Sequence, residues 1–314
     1  MLQFVIKRLL YSIPVLLGVS IVVFAAVQFT PGDVAQSLLG FAATAEKVAE
    51  LRQELGLDQP IYIQYANWLI NLMQLDFGTS VAMRGPVAEI LGTKIVNSLI
   101  LTGVTLALVV VASFVLATFS GSRFRSKFDR MIVFGTLILA SLPVFWLGIA
   151  LLYVFGVQFR LFPMSGMYNM ASPGGFWDLM HHAALPAVAT AASSIAVVTR
   201  ITRSSLIDCL NQPYILAARA RGLSRNRVIY KHGVRSILPT FANVSGLQIG
   251  YVFGNAVFTE IIFNWPGVGL QLYDAILIRD IPMVQGCVLV VALVFVVGNL
   301  LSDTIVYGLD TTRR

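Results

Sequence analysis

The stretch YILAARARGLSRNRVIYKHGVRSILP, Tyr214 to Pro239, carries six Arg and Lys residues and no acidic one. It lies in a 314-residue chain that is 57% hydrophobic and only 12% charged. A basic, Ala-rich segment of this kind can grip nucleic acid, lie on anionic lipid, hold a membrane topology or dock a partner protein. The side on which its charge falls decides how the rest of the chain threads.

A mean hydropathy of +0.80 leaves too little polar surface to cover a soluble globule. The apolar residues come in blocks long enough to cross a bilayer, which takes about 20 residues of helix. Leu9–Phe29, Asn97–Phe119 and Met131–Phe155 run 21, 23 and 25 residues without a charge. Pro282–Val306 is a fourth strong span, with Asn299 and Asp303 near its end. Ala183–Val198 and Pro239–Phe258 are weaker, rich in small or polar residues. The expected fold is all-α, a polytopic membrane protein of six helices. Leu9–Phe29 is longer than a cleavable signal core and follows Lys7 and Arg8, so it reads as a retained anchor with its start inside. Cys209 and Cys287 show neither disulfide nor metal spacing.

Six spans from an inside start place both termini in the cytoplasm, along with the segments after the second and fourth spans. Sixteen of the 22 Lys and Arg residues fall on that side. The excess obeys the positive-inside rule, so Tyr214–Pro239 is expected to be cytoplasmic. On the outer side, Thr44 can cap a helix bearing Glu46, Val48, Leu51 and Leu55 that Gly56 stops, and Pro60 can open a second. That pair reads equally as a cap on the bundle or as a surface that receives a partner. The later outer loop, Gln158–His182, is expected to be irregular.

Polar groups in a membrane helix cost free energy unless they face protein or water. In the fifth span Gln248, Asn255 and Thr259 share one side, beside Gly246, Gly250 and Gly254 at four-residue intervals that permit close helix packing. Ala183–Val198 is almost a string of Ala. These two spans are expected at the centre, with the amide side of the fifth either lining a wet path or bonding helix to helix.

No phosphate-binding glycine loop, H-E-x-x-H metal site or G-x-S-x-G elbow occurs. His181 and His182 are vicinal, and on a helix would point apart. No catalytic residue, metal site or cofactor site is expected on this chain, which reads as a transport component energised from elsewhere.

With that reading, Tyr214–Pro239 resembles the cytoplasmic coupling loop of the permease subunits of binding-protein-dependent ABC importers. Leu216-Ala217-Ala218, three residues, then Gly222 is similar to a Glu-Ala-Ala-x-x-x-Gly core with Leu216 in the Glu position. Ile237-Leu238-Pro239 is similar to its closing element. The longer spacing, TRITRSSLIDCL (Thr199–Leu210) and His232 resemble the dipeptide, oligopeptide and nickel branch. So do TPGD (Thr30–Asp33), LGLDQP (Leu55–Pro60), DFGTS (Asp76–Ser80) and FNWPGVG (Phe263–Gly269).

The resemblance implies a type I importer fold and three kinds of partner: a second permease, two cytoplasmic ATPases that hold ATP and Mg, and an external solute-binding protein. It implies that Tyr214, Leu216, Ala217, Ala218, Ala220 and Gly222 form a thin helix entering a groove on the ATPase. Membrane lipid is a further expected contact. Nucleic acid is not, since no aromatic platform accompanies the charge. The solute would be a peptide or a nickel or other metal chelate. A self-sufficient channel or secondary transporter is the alternative, disfavoured because no inverted repeat is visible. The chain divides into a first span (1–30), an outer helical loop (31–96), a transport core (97–306) containing the coupling loop (203–238), and a tail (307–314).

Overall fold

The structure, a computed structural model, describes residues 2–29, 44–54, 56, 58–169 and 174–309. TPGD, most of the tail and part of LGLDQP lie outside these. In order the helices are α1 (Leu2–Gln28), α2 (Ala45–Glu54), α3 (Ile61–Met73), α4 (Val87–Ser122), α5 (Lys127–Ser141) and α6 (Val144–Leu151). Then follow α7 (Gly175–Leu210), α8 (Pro213–Ala220), α9 (Val234–Ile262), α10 (Val268–Leu277) and α11 (Ile281–Leu309).

Helices α1, α4, α7 and α11 are long and apolar enough to cross a membrane, and α5 with α6 makes a fifth only as a bent pair. The sixth expected span lies in α9, which has the length, 29 residues, but is too polar to qualify by composition. Met131–Phe155 is not the single helix that its hydropathy predicts. The chain bends by 106° between α5 and α6. Pro143 has no N–H to continue the ladder and drives Leu142 to extended backbone, φ −85° and ψ 126°. Past α6 the helix widens to a π-helical stretch, Leu152–Gln158. The outer loop is also shorter than expected, because α7 begins at Gly175 and carries both histidines. At 36 residues, α4 and α7 are each about 54 Å long, more than a bilayer with its headgroups.

The chain forms two compact units: 1–8, 98–265 and 294–314 in one, and 9–97 with 266–293 in the other. In the second, α3 docks on α1 through Phe24, Tyr65 and Trp68, with ring centroids 5.3 and 5.6 Å from Phe24. Ser20 Oγ and Tyr65 OH add a 2.8 Å hydrogen bond. The DFGTS segment makes a tight loop before α4. Gly78 takes φ +81° while its N–H donates to Asp76 Oδ1, and Ser80 N–H donates to the Gly85 carbonyl. Asp280, 2% exposed, accepts from Ser80 Oγ–H and from the backbone N–H groups of Ala82 and Met283. It therefore caps the start of α11 and latches the loop at once.

Asp280→Asn would set an amide N–H₂ against donors, at a cost of about 1–3 kcal/mol per unmet group. The exposed loop tip contains Arg84, so trypsin reads the latch. Cleavage there is expected to be several-fold faster in Asp280→Asn than in the unaltered protein, and equal rates would remove the latch assignment.

In the first unit α7 is the most enclosed membrane helix, 67% of its apolar window being buried against 11% for α1. Its Ala-rich surface lets neighbours approach closely, as the sequence implied. At one end Arg203 of α7 makes a two-pronged pair with Asp129 of α5, at 2.7 and 2.8 Å. Asp129 also accepts from Ser120 Oγ–H and from Arg125 N–H. Arg8 of α1 and Asp303 of α11 pair at 3.0 Å, tying the start of the first helix to the end of the last.

Candidate functional site

Helix α8 starts where Pro213 occupies the first turn, a position at which its missing N–H and fixed φ cost nothing. It ends two residues past Ala220 in a left-handed glycine. The N–H of Gly222 donates to the Arg219 carbonyl and the N–H of Leu223 to the Ala218 carbonyl, at 2.9 and 3.3 Å. Those two bonds form a Schellman cap, which needs positive φ at the glycine. Gly222 has φ +80°, yet nothing lies within 4 Å of where a Cβ would stand. Within this chain it is therefore the backbone, not space, that demands glycine at 222.

One side chain seats the helix. Ile215, with no exposed surface, enters a cluster of Leu206, Cys209 and Leu210 from α7, Val228 and Ile229 from the π-helical lead-in Val228–Gly233, and Ile237 from α9. Leu223 packs on the same cluster, closing the cap with an apolar contact. Gly233 belongs to this seat, since a Cβ there would stand 3.0 Å from Leu210 and 3.1 Å from Leu206. Tyr214 is half exposed, and its hydroxyl bridges Cys209 Sγ at 3.0 Å and Ser236 Oγ at 3.2 Å. The bond to Cys209 raises the phenol's pKa above its usual value. Arg225 donates to the Ser122 carbonyl at the end of α4 at 3.0 Å.

The outward side of α8 is what remains. Leu216, 53% exposed, with Ala217 and Ala220, presents a thin apolar ridge, and Ala218 is half-buried behind it. Arg219 and Arg221 flank it, exposed. The ridge is free while its base is locked to the last turn of α7 and the first turns leading into α9. Close-packed clusters deform little. The base of α8 is therefore fixed to both α7 and α9.

On α9 the side chains chosen from sequence separate. Thr259 has no exposed surface and shares a 2.8 Å hydrogen bond with Thr190 of α7. Gln248, 8% exposed, donates to the Val244 carbonyl at 3.5 Å. Asn255 alone of the three is half-exposed. Gly246 faces Ser302 of α11 and Gly250 faces Phe295, each closer than a Cβ could tolerate, whereas Gly254 has open space beside it. The outward stripe lies further round: Asn243, Leu247, Tyr251 and Phe258 are exposed, with Thr240 and Gly254 half-exposed between them. Their spacing of three and four residues makes one continuous face.

Four features escaped the sequence reading. Ile215 looked like one apolar residue among several. Asp129 had a detectable signal, since Ser126 caps α5 and accepts from Asp129 N–H in the Ser-x-x-acid pattern, but its partner Arg203 is distant in sequence. Asp280 had none. Asn264, φ +49°, is the left-handed turn residue of FNWPGVG between buried Phe263 and Trp265. His181 and His182 are bonded to the Leu161 carbonyl and to Asp178, and among the described residues no group of His, Cys, Asp and Glu is placed to hold a metal.

Two family models cover the chain. Residues 110–314 match the binding-protein-dependent transport system inner membrane component, and residues 1–107 match the N-terminal part of such membrane components. An oligopeptide transport system permease protein of Bacillus subtilis is 37% identical over 314 residues, covering 100% of this chain and 99% of its own. A dipeptide transport system permease protein of Alkalihalophilus pseudofirmus is 33% identical, covering 99% and 98%. A glutathione transport system permease protein of Salmonella typhimurium is 35% identical, covering 100% and 99%. Full-length matches at this identity, on a helical membrane fold with a seated, outward-facing Ala/Gly helix, leave one assignment: the chain belongs to the inner membrane components of binding-protein-dependent transport systems, as a permease subunit of an ABC importer.

Proposed function

We propose that this chain and a second, similar permease enclose the path of a short peptide, delivered by an external solute-binding protein and driven by two cytoplasmic ATPases. ATP and Mg belong to those ATPases, and this chain contributes no cofactor site and no catalysis of its own. The observation that carries the reading is α8: a helix with Leu216, Ala217 and Ala220 turned outward and Ile215 locked between α7 and α9. An ATPase groove that closes on the ridge would tilt both helices together. Peptide is the favoured solute class because the full-length relatives named above handle oligopeptides, dipeptides and glutathione.

The path itself is assigned to the outward stripe of α9, Asn243 to Phe258, with Asn255 at its margin. Gln248 and Thr259 bond within the chain and support that face from behind. The assembled transporter in proteoliposomes, supplied with its receptor and a panel of short peptides and nickel chelates, tests this. Peptide-loaded receptor is expected to stimulate ATP hydrolysis, and chelates are not; the reverse pattern would sink the peptide assignment. Tyr251→Ala is expected to lower uptake about tenfold, equivalent to about 1.4 kcal/mol, without changing the receptor's affinity for peptide. Uptake unchanged in Tyr251→Ala but lost in Gln248→Leu would move the path to the inner face.

A further inference from the structure

A second feature of α9 lies on the side opposite its outward stripe. There a cavity of about 900 Å³ opens between α9 and α4, with walls that include Leu106, Val110, Leu238, Ala242 and Ile249. Arg235 stands at one end of it. The walls are almost wholly hydrocarbon, and Arg235 is exposed, with no ion pair among the described residues. Pro239, also in the wall, adds its ring to the apolar surface.

The dimensions identify the occupant. From Arg235 to Ile249 is a rise of about 21 Å along the helix. One leaflet, half of a bilayer that measures about 40–45 Å with its headgroups, has that depth. Arg235 sits at the cytoplasmic end of α9, by the same excess of Lys and Arg that places the coupling loop. The cavity therefore runs from headgroup level to midplane, cation at the surface and apolar wall beneath. A soluble peptide would leave most of that wall against polar backbone, whereas an acyl chain matches it throughout.

We propose that this cavity is a site for one anionic phospholipid of the cytoplasmic leaflet, its phosphate on Arg235 and an acyl chain along Leu238, Ala242 and Ile249. Placement of the lipid rests on the cytoplasmic reading of this end of α9, but its detection does not require transport. Occupancy of the seat would brace the first turns of α9 directly after the coupling segment.

Native mass spectrometry of the assembled transporter in mixed phosphatidylglycerol and phosphatidylcholine is the test. At least one phosphatidylglycerol is expected to stay bound through delipidation that strips phosphatidylcholine, and millimolar inorganic phosphate is expected not to displace it. Arg235→Gln removes the charge and is expected to weaken retention tenfold or more. Ala242→Trp fills the wall, leaves the charge in place and is expected to lose the same lipid. Retention equal to the unaltered protein in Arg235→Gln overturns the proposal, as does a complex that retains no anionic lipid at all. An inactive importer that still shows Arg235-dependent retention would count against the transport reading alone.

Discussion

Arg203→Ala is expected to destabilise the protein by about 3–5 kcal/mol, the largest effect of any single exchange considered, because it strands a buried carboxylate. Asp129 is 3% exposed and already accepts from Ser120 and Arg125, but neither donor supplies a charge. With the guanidinium gone, the carboxylate must take up a proton or pull water into the α4–α5 corner. Asp129→Asn should cost less, since an amide can keep one bond to Arg203 and the cation can reach outward. The double exchange Asp129→Leu with Arg203→Met should recover much of the loss, because it leaves no unpaired charge behind. Thermal unfolding of the purified protein in detergent measures all three. If Arg203→Ala melts with the unaltered protein, the pair is not a structural tie.

Gly222→Val is expected to leave the protein in the membrane at its normal level while solute-stimulated ATP hydrolysis and uptake fall tenfold or more. A β-branched residue at φ +80° is a conformational outlier, and an L-residue there costs about 1–2 kcal/mol. That cost is enough to open a cap made of two hydrogen bonds and to release the end of α8. Gly222→Asn, which tolerates left-handed backbone, is the informative control and should retain at least half of the activity. Gly222→Trp adds bulk as well as strain, and it separates the two demands on this position. Since no atom beyond its chain neighbours lies within 4 Å of the missing Cβ, a loss in Trp well beyond that in Val is expected to come from contact with a partner surface. Normal coupling in Gly222→Val would remove the conformational account of the glycine.

Much of this architecture can be read from composition and spacing. The apolar runs mark α1, α4 and α11, and Thr44, Gly56 and Pro60 mark the limits of α2 and α3. The break in the third span was signalled by Pro143 but masked by the hydropathy of its flanks, which is equally apolar on both sides of a 106° bend. Hydropathy measures how much of a segment avoids water and says nothing of its direction.

The candidate site was legible as a segment and not as a surface. Tyr214–Gly222 stands out by its Ala, Gly and Arg content alone. Which of its side chains face inward depends on what they meet, and Ile215, not Tyr214 or Leu216, is the one that α7 and α9 enclose. On α9 the polar trio Gln248, Asn255 and Thr259 obeys helical periodicity, yet the outward stripe lies further round the helix. A polar residue in a membrane helix is satisfied equally by Thr190 across a packed interface and by a wet path, so polarity cannot choose between them.

By itself, then, the sequence determined the medium and the family, and its charge bias set the expected side for the basic loop, because hydropathy, charge and motif order are properties of the chain read along its length. Only the tertiary structure decided which faces are spare: the ridge of α8, the stripe of α9 and the apolar cavity behind it. A face becomes spare when its neighbours are seated elsewhere, and those neighbours, from Leu106 to Thr190, are brought to α9 by folding alone.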